Sequence, residues 1–305
     1  MDLYKLKTFK TVALFLNFNQ AAKSLNCAQS TVSAQIKSLE DEIGELLFRR
    51  IKKRVALTAA GEKMLGYADK LLSIEEEAIA DLSGKREPRG TLSLMVPEAV
   101  ASSYLPNLLG DFMDDCPAVN FDISNCSESC LENDLQTGSV DLAFVFSDTI
   151  HSSTLNSEKI LSTRLLMAAA PEHPLAGKKT IDTSDLQSQT IFLLKAGCGY
   201  GLRFRQMLNT NIIKPASVLE LTSVEAIKKC TGRGLGLAIL PEPNIRKEIR
   251  GKRLVELNWT EAAGTTLLMV WHKDKKVSKI LGRFMDLARQ IKRNRDITAS
   301  MPKAQ

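Results

Sequence analysis

The chain runs to 305 residues, 44% of them hydrophobic and 25% charged, with a formal net charge of +6. That length exceeds one ordinary domain and leaves room for a small module beside a larger α/β body. So modest a positive excess excludes a polycationic nucleic-acid coat, and no apolar run approaches the ~20 residues that cross a bilayer.

The first predicted element is a helix in which Leu3, Leu6, Phe9, Val12, Ala13 and Leu16 recur at helical spacing. Two more helical patterns follow, over 18–25 and from Gln29 through Ile43, with a short break between them. Asn19 is the expected N-cap of the first, with Phe18 as its staple, and Ala21, Ala22 and Leu25 face inward. In the second, Val32, Ile36, Leu39 and Ile43 form one apolar stripe. Its opposite face presents Gln29, Ser30, Thr31, Ser33, Gln35 and Lys37, short or flexible polar groups suited to base edges and phosphates. A basic run, Arg49, Arg50, Ile51, Lys52, Lys53 and Arg54, comes next and supplies charge for a phosphate backbone. This order is the sequence form of a helix-turn-helix DNA reader. A helical hairpin with a merely solvated face shares the periodicity, and the adjoining cations are what favour DNA.

From Thr58 to about Lys85, Met64, Leu65, Ala68, Leu71, Leu72, Glu75, Ala78, Ile79 and Leu82 repeat at roughly heptad spacing. Thr58 is the expected N-cap and Gly84 the stop. A helix of about 25 residues spans roughly 37 Å. That is too long for a small module to cover, so a partner helix is expected, with packing on its own chain as the alternative. The run Lys85-Arg86-Glu87-Pro88-Arg89-Gly90 reads as a hinge.

Beyond it, strands are expected at 91–96, 119–124, 141–146, 165–170, 190–194, 217–221, 235–240 and 266–271. Helices intervene near 105–114, 129–137, 202–208, 223–231 and 277–291, and the chain after Arg289 reads as polar and prone to fray. Such alternation argues for parallel sheets covered by helices, with ligands beyond the carboxyl ends of the strands.

Enzyme chemistry finds no foothold. His151, His173 and His272 are widely separated, and no nucleophile elbow or phosphate loop is present. Gly232-x-Gly234-x-Gly236 follows a helix and leads into a strand, the reverse of a dinucleotide fingerprint, so it reads as a tight turn ending at Pro241. Cys126-x-x-x-Cys130 lacks a nearby His and is a poor zinc pattern. No catalytic group, cofactor or metal is expected. A solute-binding protein without DNA activity would have no use for the N-terminal module.

The chain resembles the LysR-type transcriptional regulators in the order of its parts. These are 18–25, 29–39 with Ser33, Leu39-Glu40-Asp41-Glu42-Ile43-Gly44, Leu47-Phe48-Arg49-Arg50, and Leu57-Thr58-Ala59-Ala60-Gly61. The resemblance implies an N-terminal all-α winged helix-turn-helix, a long linker helix, and an α/β effector domain of two subdomains, like a periplasmic binding protein. The expected divisions are 1–58, 59–88 and 89–305, with subdomain I at about 91–163 plus 267–295 and subdomain II at about 164–266. Gln29, Ser30, Thr31, Ser33, Gln35 and Lys37 would contact DNA, and Arg50, Lys52, Lys53 and Arg54 would hold its backbone. Ala28 stands where the family often has a hydroxyl cap and Ser30 where it often has Pro, so the recognition helix starts less firmly or Ser30 takes the cap. Paired linker helices imply a homodimer, with a homotetramer and RNA polymerase as further partners. A small-molecule inducer would bind between the subdomains, and the protein is expected in the cytoplasm, nucleoid-associated, with no membrane partner and no signal peptide.

The resemblance places one cleft wall after strand 91–96. Pro97 and Ala99 stand there in positions that are often hydroxylic, leaving Glu98, Ser102 and Ser103 as polar groups. Glu98 either favours a cationic or amide ligand or merely caps its helix. Opposite walls would come from 127–129, Phe146 and Ser147, Lys195 through Tyr200 with Cys198 and Gly199, and Leu221 through Ser223. Lys195 either pairs with an acidic effector or is solvated, and Thr222 to Glu225 are expected to cap a helix. Cys198 lies where the family's peroxide-sensing branch has its reactive thiol, but Met207 and Leu208 stand where the resolving partner would be. Gly201 replaces a common Arg there, although Arg203 and Arg205 are close enough to activate a thiol. A non-redox Cys198 lining the cleft is the expectation, and redox sensing is the alternative.

Overall fold

The computed structural model describes residues 2–51, 54–82, 88–125, 128–195, 199–259 and 264–299. Residues through Thr91, with the short segments 118–120 and 137–139, form one compact unit, and the remainder forms a second.

In the first unit, α1 (Leu3–Phe15), α2 (Phe18–Ser24) and α3 (Gln29–Ile43) precede a hairpin of β1 (Phe48–Ile51) and β2 (Arg54–Leu57), then α4 (Ala59–Leu82). Leu6, Phe9, Val12, Ala21, Ala22, Val32, Ile36 and Leu39, from the stripes their spacing had marked, form one buried core that Leu47 joins. Phe48 anchors the wing in that core, its ring meeting Phe9 and Phe18 at centroid distances of 5.3 and 5.8 Å.

Two cap expectations are corrected. The N-cap of α2 is Asn17, not Asn19: Asn17 Oδ1 accepts from the Asn19 and Gln20 amides at 2.9 and 3.2 Å. Phe18 must turn into the core to reach Phe48, so the extended cap residue lies outside it. Nor does Ser30 cap α3, because it lies within the helix; Ala28 precedes the first turn and makes no side-chain cap. Gly44, at φ +80°, ends α3 and leaves Ile43 at 37% exposure, outside the core it was expected to join.

The wing and linker helix are joined by a compact set of bonds. Glu40 Oε1 accepts from the Leu47 and Phe48 amides at 2.8 and 3.1 Å, fixing where the wing leaves α3. Thr58 caps α4 as expected, accepting from Gly61 N at 2.9 Å while its hydroxyl donates to Leu46 O at 2.6 Å. A Cβ at Gly61 would lie 2.1 Å from the Leu47 carbonyl, so only glycine lets the chain cross there. We expect Gly61→Ala to cost about 1–3 kcal/mol, as overpacking usually does, read as a lower midpoint in urea unfolding of the whole chain. An unchanged midpoint would show that the crossing relaxes freely.

The stripe of α4 is divided. Ala68 and Leu72 pack into the unit's own core with Met64 and Leu65 beside them. Tyr67, Leu71 and Ile74 recur on another face at 53%, 36% and 61% exposure. The expected hinge residues 85–87, and Gly84, lie outside the described residues.

The second unit contains β3 (Gly90–Val96), α5 (Glu98–Ala101), α6 (Leu105–Asp115), β4 (Val119–Asn125), α7 (Glu128–Thr137) and β5 (Leu142–Phe146). There follow β6 (Leu155–Ala169), β7 (Thr190–Leu194), α8 (Gly199–Thr210), β8 (Ser217–Leu221), α9 (Val224–Gly232) and β9 (Leu237–Pro241). It closes with α10 (Glu242–Arg250), β10 (Val255–Leu257), β11 (Gly264–His272) and α11 (Lys279–Ala299). Hydrogen-bonded strands run in the order β4-β3-β5-β11-β6-β9-β7-β8, with β10 against β6.

The expected parallel sheets are found only in part. β3 and β5 are parallel, as are β7 with β8 and with β9, but β11 runs antiparallel to both β5 and β6. Residues 155–164 of β6 pair with β11, and 165–168 pair with β9. That first stretch was not anticipated because Asn156, Ser157 and Lys159 leave it without an apolar run. α5, α10 and β10 were also not anticipated, being short or Pro-interrupted. α11 continues past 291 to Ala299, since neither Gly nor Pro interrupts it.

Each half of the sheet has its own core. Phe112, Phe121, Phe144 and Phe284 pack mutually under β4 and β5, with centroid distances of 5.4 to 6.5 Å. Around β7 and β9, Phe204 meets Trp259 edge-on at 5.8 Å among Ile191, Leu193, Leu237 and Ile239. The glycine turn behaves as read: Gly234 and Gly236 have φ of +74° and +157°, and a Cβ on Gly236 would fall 2.4 Å from Thr190 O. His173 likewise caps a short 3-10 turn, its Nδ1 accepting from Leu175 N at 3.2 Å.

Candidate nucleic-acid interface and effector cleft

On α3, burying Val32, Ile36 and Leu39 turns the polar residues outward. Gln29, Ser30, Thr31 and Lys37 are exposed, and Ser33 and Gln35 partly so. Gln29 Nε2 donates to Ser33 Oγ at 2.7 Å, so the two side chains hold one another at the helix start. Gln35 is differently placed: its Oε1 accepts from the buried Thr8 hydroxyl at 2.6 Å, tying α3 to α1. Of the wing residues, Arg50 pairs in register with Val55 and Arg54 with Ile51. Lys52 and Lys53 lie outside the described residues.

The expected cleft residues fall into three groups. Ala99 and Phe146 are buried at 0% and 1% exposure, Phe146 against the Tyr200 ring at 5.9 Å, so they support the site from behind. Ser102 and Ser103 donate to the carbonyls of Glu98 and Ala99, and Ser223 caps α9, accepting from Ala226 N at 3.4 Å. Lys195 is exposed just beyond β7, and Gly199 opens α8, while 196–198, including Cys198, and 126–127 lie outside the described residues.

Glu98 does more than its sequence position suggested. It caps not its own short helix but α9, its Oε1 accepting from Val224 N at 3.0 Å. Asn244, in the first turn of α10, reaches α5 in return, its Nδ2 donating to Ala99 O at 2.8 Å and Ser102 Oγ at 3.1 Å. Sequence reasoning missed Asn244. The signal was present in Pro241-Glu242-Pro243-Asn244, where a proline near a helix start puts the following residue in the first turn. A separate cavity of about 380 Å³ lies between α6, α10 and α11, and of the expected cleft residues only Ser103 lines it.

Among the described residues no group of acidic, His and Cys side chains is arranged to hold a metal, and no helix is long and apolar enough to cross a membrane. Buried Cys116 has its thiol pushed up by burial, away from reactivity.

A winged helix-turn-helix followed by a two-lobed α/β unit defines a DNA-binding regulator with an effector-binding domain. The family model "Bacterial regulatory helix-turn-helix protein, lysR family" matches residues 3–62, and "LysR substrate binding domain" matches 85–292. The chain belongs to the LysR family of transcriptional regulators, not to an enzyme family. It is 38% identical over 292 residues to the uncharacterised HTH-type transcriptional regulator YwqM of Bacillus subtilis, covering 95% of this chain and 99% of that one. A structure of full-length CbnR complexed with its target DNA superposes with a TM-score of 0.68 at 23% identity, covering 95% of this chain and 99% of that one. The Synechocystis CcmR regulatory domain in complex with 2-PG gives 0.60 at 25% identity, covering 68% of this chain and 99% of that one.

Proposed function

We propose that this regulator reads operator DNA with the outward face of α3, holds the phosphate backbone with the wing, and answers to a small molecule bound between the lobes of its second unit. The observation that carries the DNA reading is the polar row of α3, exposed opposite its buried stripe and followed directly by the basic hairpin. Gln29, Ser30, Thr31 and Ser33 are assigned to bases, and Lys37, Arg50, Lys52, Lys53 and Arg54 to phosphates. Gln35 has its carbonyl committed to Thr8, so only its amide nitrogen is assigned to DNA. The complex of CbnR with its target DNA supports a DNA-binding role, and the CcmR regulatory domain with 2-PG supports a small-molecule site.

The exposed row Tyr67, Leu71 and Ile74 on α4 is assigned to pairing with a second copy, which brings two reading heads to one palindromic site. The same reading takes domain limits of 1–58, 59–88 and 89–305, with tetramer assembly, contact with RNA polymerase and residence on the nucleoid as further parts of the proposal. Effector binding would change the angle between lobes and so the spacing of the heads.

Retention of sheared genomic DNA by the purified protein, followed by sequencing, tests the reading. Fragments sharing a spaced inverted repeat are expected, and uniform retention of all fragments would overturn sequence-specific recognition. Within that assay, Arg50→Ala with Lys53→Ala should weaken every sequence alike and flatten the salt dependence by about one unit per lost contact. Loss at a single base position would instead make these residues base readers.

A further inference from the structure

At α5, side-chain bonds link the two lobes. Glu98 reaches from α5 to the N-terminus of α9, and Asn244 reaches from α10 back to α5. The Ala99 carbonyl can only accept, so the bond to it fixes which end of the Asn244 amide is nitrogen. Asn244 is 7% exposed, yet its Oδ1 is buried without a hydrogen-bond partner. The second oxygen of Glu98, Oε2, is in the same condition. Two unsatisfied acceptors therefore lie on the side chains that link the lobes at α5. Buried acceptors are costly to leave unpaired, and both of these call for a donor.

The α9 N-terminus argues in the same direction. Such a terminus ordinarily favours an anionic ligand, whose charge meets free amides and the positive end of the helix dipole. Here the chain's own carboxylate fills that place. An incoming carboxylate would find the Val224 amide taken and a like charge beside it.

We propose that the effector carries a cationic amino or guanidino group, which donates to Glu98 Oε2 and Asn244 Oδ1 while Glu98 Oε1 continues to cap α9. This rests on reading the space between the lobes as the effector site. A ligand so held touches α5 of one lobe and α10 of the other at once, and would strengthen their closure.

The test is thermal unfolding of the full-length protein with n-butylamine, n-butylguanidine or sodium butyrate at matched ionic strength. Both cations should raise the Tm of the wild-type chain by about 5 °C near saturation, and butyrate should not. Glu98→Gln keeps an oxygen for Val224 but loses the charge, and should lose the response to cations. Glu98→Ala frees the Val224 amide at the α9 N-terminus, and butyrate should then stabilise that variant alone. Butyrate stabilising the wild type would overturn the cationic class while leaving an effector site between the lobes in place. Equal stabilisation of wild type and Glu98→Gln by the cations would remove Glu98 from the site. No response from any variant to any probe would overturn the proposal outright. DNA retention by the wild-type chain reports on the first unit separately, so its failure would be distinct from all of these.

Discussion

Replacing Leu71 and Ile74 together with aspartate should convert the dimer proposed to pair through α4 into a monomer and lower affinity for a two-half-site operator by about 10²–10⁴-fold. The factor is the effective-concentration advantage lost when two heads bind as independent molecules. Both side chains are on the uncovered face of α4, at 36% and 61% exposure, whereas Ala68 and Leu72 hold the helix to its own unit. The double variant should therefore keep the fold, with an unchanged circular dichroism spectrum. Sedimentation at micromolar concentration reads the oligomer, and gel shift on one half-site and on two reads the affinity. Affinity for a single half-site should be unaltered. A variant that remains dimeric, or binds two half-sites as tightly as the parent, would send the interface elsewhere.

Gln29→Ala should relax sequence preference at one or two base pairs, with discrimination falling by roughly 5–150-fold, the equivalent of one good bidentate contact. Gln29 is exposed at the start of α3, and its bond to Ser33 Oγ orders both groups before DNA arrives. Lys37→Ala is the control, because loss of a point charge at a phosphate lowers all affinities together and reduces the salt slope by about 0.9. Competition binding against a library of single-base operator variants separates the two patterns. If Gln29→Ala lowered every site equally, Gln29 would be a backbone contact and the reading register of α3 would need to shift along the helix.

Local pattern carried the N-terminal unit. Leu6, Phe9, Val12, Val32, Ile36 and Leu39 are buried where helical periodicity put them, because an amphipathic helix in so small a module has only one face to bury. Thr58 was legible for a similar reason, since a cap depends on nearby residues, whereas the close approach of Gly61 to the Leu47 carbonyl was not read from the sequence. The Asn17 cap was missed because Asn17 and Asn19 are both competent, and only the packing of Phe18 on Phe48 chooses between them.

Farther along, alternation of strands and helices was readable in β3, β7 and β8 from their apolar runs. The antiparallel pairing of β6 with β11 was not, since it joins residues about a hundred positions apart and one of its partners is a polar stretch. The effector region divides along the same line. Its loops were expected from the resemblance, and Ser223 was recognised as part of a cap. That Glu98 caps α9 rather than its own helix, and that Asn244 belongs beside it, are contacts of residues 126 and 145 apart in sequence. The sequence by itself determined the buried stripes of α1 to α3 and the extent of α4, properties of short-range spacing, while the order of its motifs carried the resemblance to the family. Only the tertiary structure decided which face of α4 stays open and which carboxylate fills a helix end. Those outcomes depend on burial and hydrogen bonding among segments that meet solely in the folded chain.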